Sequence, residues 1–246
     1  MEYKAEKITP YNGTESKTGQ VRQMFNSIAP AYDFMNRAMS FGIDRVWRKV
    51  AVEIVKASKP SNILDVATGT GDLAIQLNYA IHPPKGIIGI DLSKGMLDIA
   101  EKKVREEELD NDISFEEGDC LKMRFGDNSF DAVTVAYGVR NFEHLEQGYA
   151  EMCRVLTPGG ILCVVELSTP TNPIIKLFYN IYTHTLIPLA GRLVSKDVRA
   201  YSYLPESIAA VPQGDAMLGI MRRAGFKDCY CHSLTFGVCS IYVGVK

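Results

Sequence analysis

No two cysteines in the chain have Cys-x-x-Cys spacing, although six are present: Cys120, Cys153, Cys163, Cys229, Cys231 and Cys239. A structural zinc site takes about four ligands. Cys229 and Cys231, two apart on an expected strand, have no matching pair with histidines nearby, so buried, reduced cysteines in a cytoplasmic protein are expected. The histidines His82, His144, His184 and His232 stand apart, with no carboxylate pattern around them for a triad or a metal. The chain also lacks a run of roughly 20 apolar residues, the length a spanning helix needs. Its opening, Met1 to Lys17, is polar and does not read as a secretory leader. Cation excess is missing too: 27 Lys and Arg against 29 Asp and Glu leave a net charge of -2, so nucleic acid is not an expected partner.

What is present is a chain of 246 residues, 46% hydrophobic and 23% charged. That excludes disordered and fibrous classes and fits one α/β domain with modest additions. From residue 62, short β-branched runs alternate with helical patterns, which gives a mostly parallel sheet covered by helices. Strands are expected over 62–67, 86–92, 113–117, 130–136 and 161–167. Helices are expected over 71–82, 94–109, 146–156 and 215–224, with a turn over 157–160. The runs 229–234 and 238–245 are separated by only three residues. A parallel crossover needs about a dozen, so these form an antiparallel hairpin, unlike the all-parallel dinucleotide-binding fold.

Three segments lie outside the alternation. Residues 1–19 are expected as a flexible tail, and 20–246 as a single domain. Within it, 20–58 reads as a helical cap, with Val21, Phe25 and Ile28, then Trp47, Val50, Ala51 and Ile54, at three- and four-residue spacings. Residues 169–212 are too many for a connection and are expected to cover a site.

The first strand runs into Asp65-Val66-Ala67-Thr68-Gly69-Thr70-Gly71-Asp72, where glycines let the backbone turn tightly toward a ligand at the next helix. Asp91 ends the second strand, twenty residues after Gly71, placed to accept both hydroxyls of a ribose. A cofactor containing a nucleoside is expected, and three features choose among such cofactors. Asp72 at the helix start suits the helix dipole but would repel a pyrophosphate. Gly118-Asp119-Cys120 puts a carboxylate at the height of an adenine edge, where an amine needs an acceptor. The terminal hairpin departs from the dehydrogenase topology. Together they favour S-adenosylmethionine over NAD. Ser93 is the more natural N-cap of the helix after Asp91; for Asp119, a turn residue stays open as the alternative.

Several blocks carry a resemblance: Val21-x-x-x-Phe25-x-x-Ile28-Ala29-x-x-Tyr32-Asp33-x-Met35-Asn36, Ser40-x-Gly42-x-x-Arg45-x-Trp47-Arg48, the glycine loop, Tyr137-Gly138-Val139-Arg140-Asn141, and Tyr201-x-Tyr203-Leu204-x-Glu206-Ser207-Ile208. From about Val21 to the C-terminus the chain resembles the ubiquinone/menaquinone biosynthesis C-methyltransferases. The resemblance implies a class I, Rossmann-like methyltransferase fold, S-adenosylmethionine as methyl donor and a prenylated quinol as acceptor, with demethylmenaquinol foremost. It implies cofactor contacts at Thr70, Asp91, Asp119 and the Cys120 backbone, beside Gly69 and Gly71 of the loop. Some members have a serine before the aromatic of the Tyr137 segment; Ala136 stands here and offers no side-chain contact.

Arg140 and Asn141 follow the fourth strand at the carboxyl edge, where ligands of such sheets bind. Arginine is a poor base, with a pKa above about 12. Arg140 is therefore expected to stabilise a quinolate or orient a water that takes the proton, with Asn141 a further fixed donor. Tyr32 either hydrogen-bonds the same oxygen or sets its ring against the sulfonium. The bland alternatives are an Arg140–Glu143 salt bridge and a core Tyr32. On helical spacing from Pro173 to Val194, Lys176, Asn180 and His184 share one face, and Ile174, Ile175, Leu177, Phe178, Ile181, Leu186, Ile187 and Leu189 fill most of the rest. Such a helix is a lid over a hydrophobic tail, a peripheral membrane contact on the inner face, or a core or homodimer helix. An NAD-dependent reductase and a non-catalytic quinone-synthesis subunit are the rival functions.

Overall fold

The computed structural model describes residues 2–186 and 198–246, without the side chains of residues 184, 186, 198 and 201; Ile187 and Leu189 lie outside the described residues. Seven strands form one sheet in the order β3-β2-β1-β4-β5-β7-β6. They are β1 Ile63–Val66, β2 Ile87–Asp91, β3 Ile113–Glu117, β4 Phe130–Ala136, β5 Leu156–Leu167, β6 Lys227–Leu234 and β7 Cys239–Val245. The first five are parallel, and β7 runs antiparallel between β5 and β6.

Strand residues alternate between the two faces, and the core divides accordingly. Leu64, Val66, Val133, Val135, Leu162 and Val164 pack on one side with helices α7 (Leu145–Val155) and α10 (Asp215–Arg223). Ile63, Ala132, Cys163 and Val165 pack on the other with α4 (Asp44–Ala57), α5 (Asp72–Ile81) and α6 (Lys94–Glu106). With both faces covered, every residue of β1 is buried, including Asp65.

Four expectations need correction. First, residues 1–19 are not a loose tail. Helix α1 (Lys4–Lys7) buries Ala5, Glu6 accepts from the Leu145 amide, and the Tyr3 hydroxyl donates to Glu146 at 2.6 Å. Lys17, at the start of α2 (Lys17–Ile28), is buried, and its ammonium donates to the carbonyls of Ala5 and Arg140. Hydrogen bonding rather than apolar pattern fixes this segment, so periodicity misses it. Second, the 20–58 cap is two things. Helices α2 and α3 (Tyr32–Ser40) lie over the sheet edge around Met24, Ile28 and Met35, whereas α4 belongs to the core layer through Trp47, Ala51, Val52 and Val55. Third, the turn over 157–160 lies within β5 rather than ahead of it: the register jumps from Phe130–Leu156 to Ala132–Ile161, three extra residues on β5, Gly159 has φ 82, and a Cβ on Gly160 would sit 2.8 Å from the Thr157 carbonyl. Fourth, Cys229 and Cys231 are only half-buried on edge strand β6, while the other four cysteines are buried.

Helices α8 (Pro173–Ile181) and α9 (Val198–Ala210) come from the long insertion. The Asn172 side chain caps α8 by accepting from the amides of Ile174 and Ile175, with Pro173 at the first turn. No residue of α8 is buried: Ile174, Leu177, Phe178 and Ile181 are 68, 59, 67 and 52% exposed. A core helix is thereby excluded.

Candidate functional site

At the carboxyl edge of the sheet two cavities share a wall. The first has about 700 Å³ of non-atom space, part of it open to solvent. It is lined by Gly69 from the glycine loop, by Asp91 at the end of β2, and by Asp119 and Cys120 after β3. Asn141 and Tyr32 line it as well, with Phe25 of α2 above them. Its charges are the carboxylates Asp91, Asp119 and Glu143 and the single cation Arg22.

Local geometry explains each placement. Asp91 accepts from the amides of Gly69 (2.9 Å) and Ser93 (2.8 Å), which fixes its carboxylate at the loop, and burial raises its pKa. Ser93, not Asp91, caps α6 by accepting from the Met96 amide. Asp119 accepts from the Leu121 amide, so it makes the turn and lines the pocket at once. Burial pushes the Cys120 thiol well above its ordinary value, leaving it neutral between the two carboxylates. Gly69 has φ 57, and a Cβ there would project into open space.

Thr70 and Gly71, expected at the cofactor, follow Gly69 in the same loop. The buried Thr70 hydroxyl donates to Asp33 of α3 at 2.6 Å. Gly71 has φ 79, and a Cβ there would stand 2.9 Å from the Phe115 ring and 3.1 Å from the Ala100 Cβ, so this glycine serves helix and strand packing. Asp72 is not a free charge facing a ligand either: Lys103 lies 2.6 Å and Arg48 3.2 Å away. Burial alone would raise its pKa, but these cations hold it low. Lys103 also binds Asp33 at 2.5 Å, and Arg48 binds Asp44 at 2.6 Å, so an ion-pair chain fastens α3 and α4 to the glycine loop.

The second cavity is larger, about 1750 Å³ to its open mouth, and mainly apolar. Met39 and Phe41 of the α3 end, Ile43, Trp47 of α4, Leu167 of β5 and Ile175, Phe178 and Tyr179 of α8 surround it. Its polar part is Arg140, Tyr137, Tyr32, Asn36 and Asp44. Tyr32 and Tyr137 line both cavities and are the shared wall.

Arg140 is buried, and its partner is Glu166 at the end of β5, at 2.8 Å, rather than Glu143. Glu143 accepts instead from the backbone and hydroxyl of Thr18. Glu166 also accepts from the Arg140 amide, and the Arg140 guanidinium donates to the Tyr137 carbonyl. Burial opposes the charge on Arg140, but Glu166 keeps its pKa raised. The Arg140 Nε and the Tyr137 hydroxyl are buried without a hydrogen-bond partner among the described residues. Asn141 accepts from the Tyr203 hydroxyl of α9 at 3.1 Å, which fixes its amide between the cavities. The Tyr32 ring is held edge-on by Phe25, with centroids 6.0 Å apart.

Sequence reasoning missed Glu166, Tyr137 and the Asp33–Lys103 link. Glu166 carried a readable signal, a lone carboxylate at the end of the apolar run 161–167. Tyr137 stood in the block before Arg140 without a role assigned to it, and the Asp33–Lys103 link joins residues far apart in the chain and had no signal.

The lining suits one ligand chemistry. Carboxylates at the ends of β2 and β3 receive hydroxyls and an amine, a pocket of net negative charge suits a cation, and no cluster of basic side chains waits for phosphate. Solved structures share the fold. A SAM-dependent methyltransferase from Thermotoga maritima superposes with a TM-score of 0.63 at 18% identity, covering 91% of this chain and 99% of that one. One from Aquifex aeolicus gives 0.56 at 17%, covering 75% and 81%. Among relatives by sequence, demethylmenaquinone methyltransferase of Bacteroides fragilis is 48% identical over the full length of both chains. The protein of the same name from Porphyromonas gingivalis is 48% identical over 98% of each. Ubiquinone/menaquinone biosynthesis C-methyltransferase UbiE of Geobacter sulfurreducens is 41% identical over 99% of this chain and 94% of its own. The sequence pattern of the ubiE/COQ5 methyltransferase family matches residues 13–246. S-adenosylmethionine is the cofactor of this enzyme, and the chain belongs to the ubiE/COQ5 methyltransferase family.

Proposed function

We propose that the enzyme methylates a ring carbon of demethylmenaquinol, and that the prenyl tail of this acceptor lies in the larger cavity. The observation that carries the reading is the juxtaposition of a small acidic pocket and a large apolar cavity across one wall, Tyr32 and Tyr137. A methyl donor in the first and a ring in the second meet only there.

The bound cofactor supplies an electrophilic methyl group on a sulfonium. Asp91 and Asp119 hold its ribose and adenine ends, with Gly69 and the Cys120 backbone closing the contact. A quinol ring carbon becomes a competent nucleophile when the neighbouring hydroxyl loses its proton. The cofactor would supply its methyl group to that carbon, and the ring hydrogen would leave as a proton. Arg140 stabilises the developing quinolate or orients the water that takes the proton; the Glu166 pair keeps it charged and fixed before the reaction. Asn141, held by Tyr203, and Tyr32 orient the ring.

The acceptor's tail brings the enzyme to a membrane, and no helix among the described residues is long and apolar enough to cross one. The contact surface we infer is α8 together with Phe41 and Val46, which surround the mouth of the apolar cavity and are exposed. Exposed Arg37, Arg45 and Lys49 stand on the same two helices as that rim, where anionic headgroups would meet them. A second copy of the chain on this face is the competing occupant, and a concentration-dependent mass in solution would reveal it.

The direct test supplies labelled S-adenosylmethionine with a short-tailed demethylmenaquinol or the corresponding benzoquinol and follows label into the extracted ring by mass spectrometry. Transfer to the naphthoquinol is expected to be the faster. Transfer to neither acceptor overturns the quinol reading, and faster transfer to the benzoquinol overturns the choice of ring.

A further inference from the structure

Only three side-chain polar atoms among the described residues are buried without a hydrogen-bond partner: the Tyr137 hydroxyl, the Arg140 Nε and the Arg48 Nε. A folded chain rarely leaves such groups unpaired, because each gives up water and gains nothing in return. Two of the three belong to residues that line the apolar cavity, Tyr137 and Arg140.

The backbone goes to some trouble to place the first of them. Tyr137 has φ 60, a left-handed conformation disfavoured for an aromatic residue, and its amide is tied to the Val165 carbonyl at 2.7 Å. The next residue has to be glycine, since a Cβ on Gly138 would stand 2.7 Å from the Ala67 Cβ. The kink turns the ring out of the sheet edge and into the wall between the cavities. Burial pushes the phenol well above its ordinary pKa, and Cys239, Asp44 and Glu166 add to that shift while Arg48 opposes it. The phenol is therefore a protonated donor. The phenol oxygen could accept from an arginine N–H, but no such bond joins it to Arg140, whose Nε also lacks a partner, and arginine offers no acceptor for the phenol's own proton.

We propose that Tyr137 is a second acceptor-binding residue, whose hydroxyl donates to the quinol oxygen para to the one held by Arg140. One wall then carries two donors for the two oxygens of a 1,4-quinol, and the pair of contacts fixes which ring carbon faces the methyl group. The inference rests on the quinol reading above and adds to it a residue and a discrimination.

The test compares the parent with Tyr137→Phe on two short-tailed acceptors, the 1,4-quinol and its analogue with hydrogen in place of the far hydroxyl. The parent is expected to prefer the quinol in kcat/KM by about 10-fold, the size of one hydrogen bond. Tyr137→Phe should lose that preference, with its loss confined to the quinol, while the cofactor dissociation constant stays within about 2-fold. Equal activity of variant and parent on the quinol overturns the proposal, as does an equal loss on both acceptors. Should the variant fail to fold, the parent alone decides: no preference between the two acceptors overturns the proposal equally. If the parent methylates neither acceptor, the quinol reading itself fails and this inference goes with it.

Discussion

The cofactor pocket and the acceptor cavity share Tyr32 and Tyr137 but are built differently. The pocket is made at the ends of β1, β2 and β3, and two of its carboxylates are tied to backbone amides two to four residues past a strand end: Asp91 to Gly69 and Ser93, Asp119 to Leu121. The cavity is roofed by α3, α8 and α9, helices held by side-chain packing and a few long-range bonds, such as Tyr203 of α9 to Asn141 after β4 and the hydroxyl of Tyr182, just past α8, to the Met39 carbonyl of α3. A sheet edge is rigid because both its faces are packed, and it can hold polar groups to a fraction of an ångström. A helical roof with an exposed apolar face can yield to a long tail. The first design suits a ligand that is always the same; the second suits one that enters from a lipid phase.

The sharpest way to break this division is at Arg140, in the acceptor cavity beside the shared wall. Arg140→Ala should lower turnover by about 100-fold or more, as when an oxyanion donor is removed. It also leaves Glu166 as a buried unpaired charge, a change that costs about 3–5 kcal/mol in comparable cases. Adding Glu166→Gln should restore most of the melting temperature and none of the turnover. Recovery of activity together with stability would make Arg140 merely structural.

On the acceptor side, the pair Phe178→Asp with Ile181→Asp removes two exposed anchors, each worth roughly 1.5–3 kcal/mol when buried in lipid. Vesicle co-sedimentation and turnover of long-tailed quinols should fall together, by tens of fold. Turnover of a short-tailed acceptor and the cofactor dissociation constant should hold. Loss with both acceptors would place the helix in the chemistry of the head group rather than at a membrane.

On the cofactor side, Asp91→Ala should weaken S-adenosylmethionine by about 1.5–3 kcal/mol in calorimetric titration, the range for hydrogen bonds to a charged acceptor. Because Asp91 also receives two backbone amides, some thermal stability should go with it. Thr70→Val, by contrast, should leave cofactor contacts in place and loosen α3, since its hydroxyl serves Asp33. An affinity loss as large as that of Asp91→Ala would return Thr70 to the ligand.

The smallest effect on turnover is expected at Asp65, 1% exposed beneath the glycine loop, where burial lifts the carboxyl to about 6 against the hydrogen bonds of Thr134 and Thr68. Its folded pKa lies above its unfolded one. The stability it contributes is therefore complete below the ordinary carboxylate range and lost as pH rises through about 6. Asp65→Asn should flatten the fall in melting temperature between pH 4 and 7; an unchanged slope would refute the assignment.

Particular elements show how legibility divided. Strands over 113–117 and 130–136 were readable to the residue, the second because a strand buried on both faces announces itself as an apolar, β-branched run, the first, an edge strand, from its place in the alternation of strands and helices. The hairpin was readable from its three-residue connection, though not that β7 would slip between β5 and β6, a matter of which edge accepts a strand. Of the expected site, Gly69, Asp91, Asp119, Cys120, Tyr32 and Asn141 converge on one pocket, and Arg140 stands in the next. Thr70 and Gly71 belong to the same motif, but the partners of the Thr70 hydroxyl and of the Gly71 Cα, Asp33 and Phe115, were not readable, because they come from other elements.

By itself, then, the sequence determined what depends on neighbours in the chain: periods of two and of 3.6, the glycines of a tight loop, a carboxylate at each strand end, and a helix apolar around most of its girth. Only the tertiary structure decided which partner each of those groups met. Glu166 rather than Glu143 holds Arg140, Lys103 joins Asp33 to Asp72, and α4 lies in the core while α8 lies on the surface. The reason is physical: burial and charge pairing act through space between residues tens of positions apart, and a composition or a period contains no information about that distance.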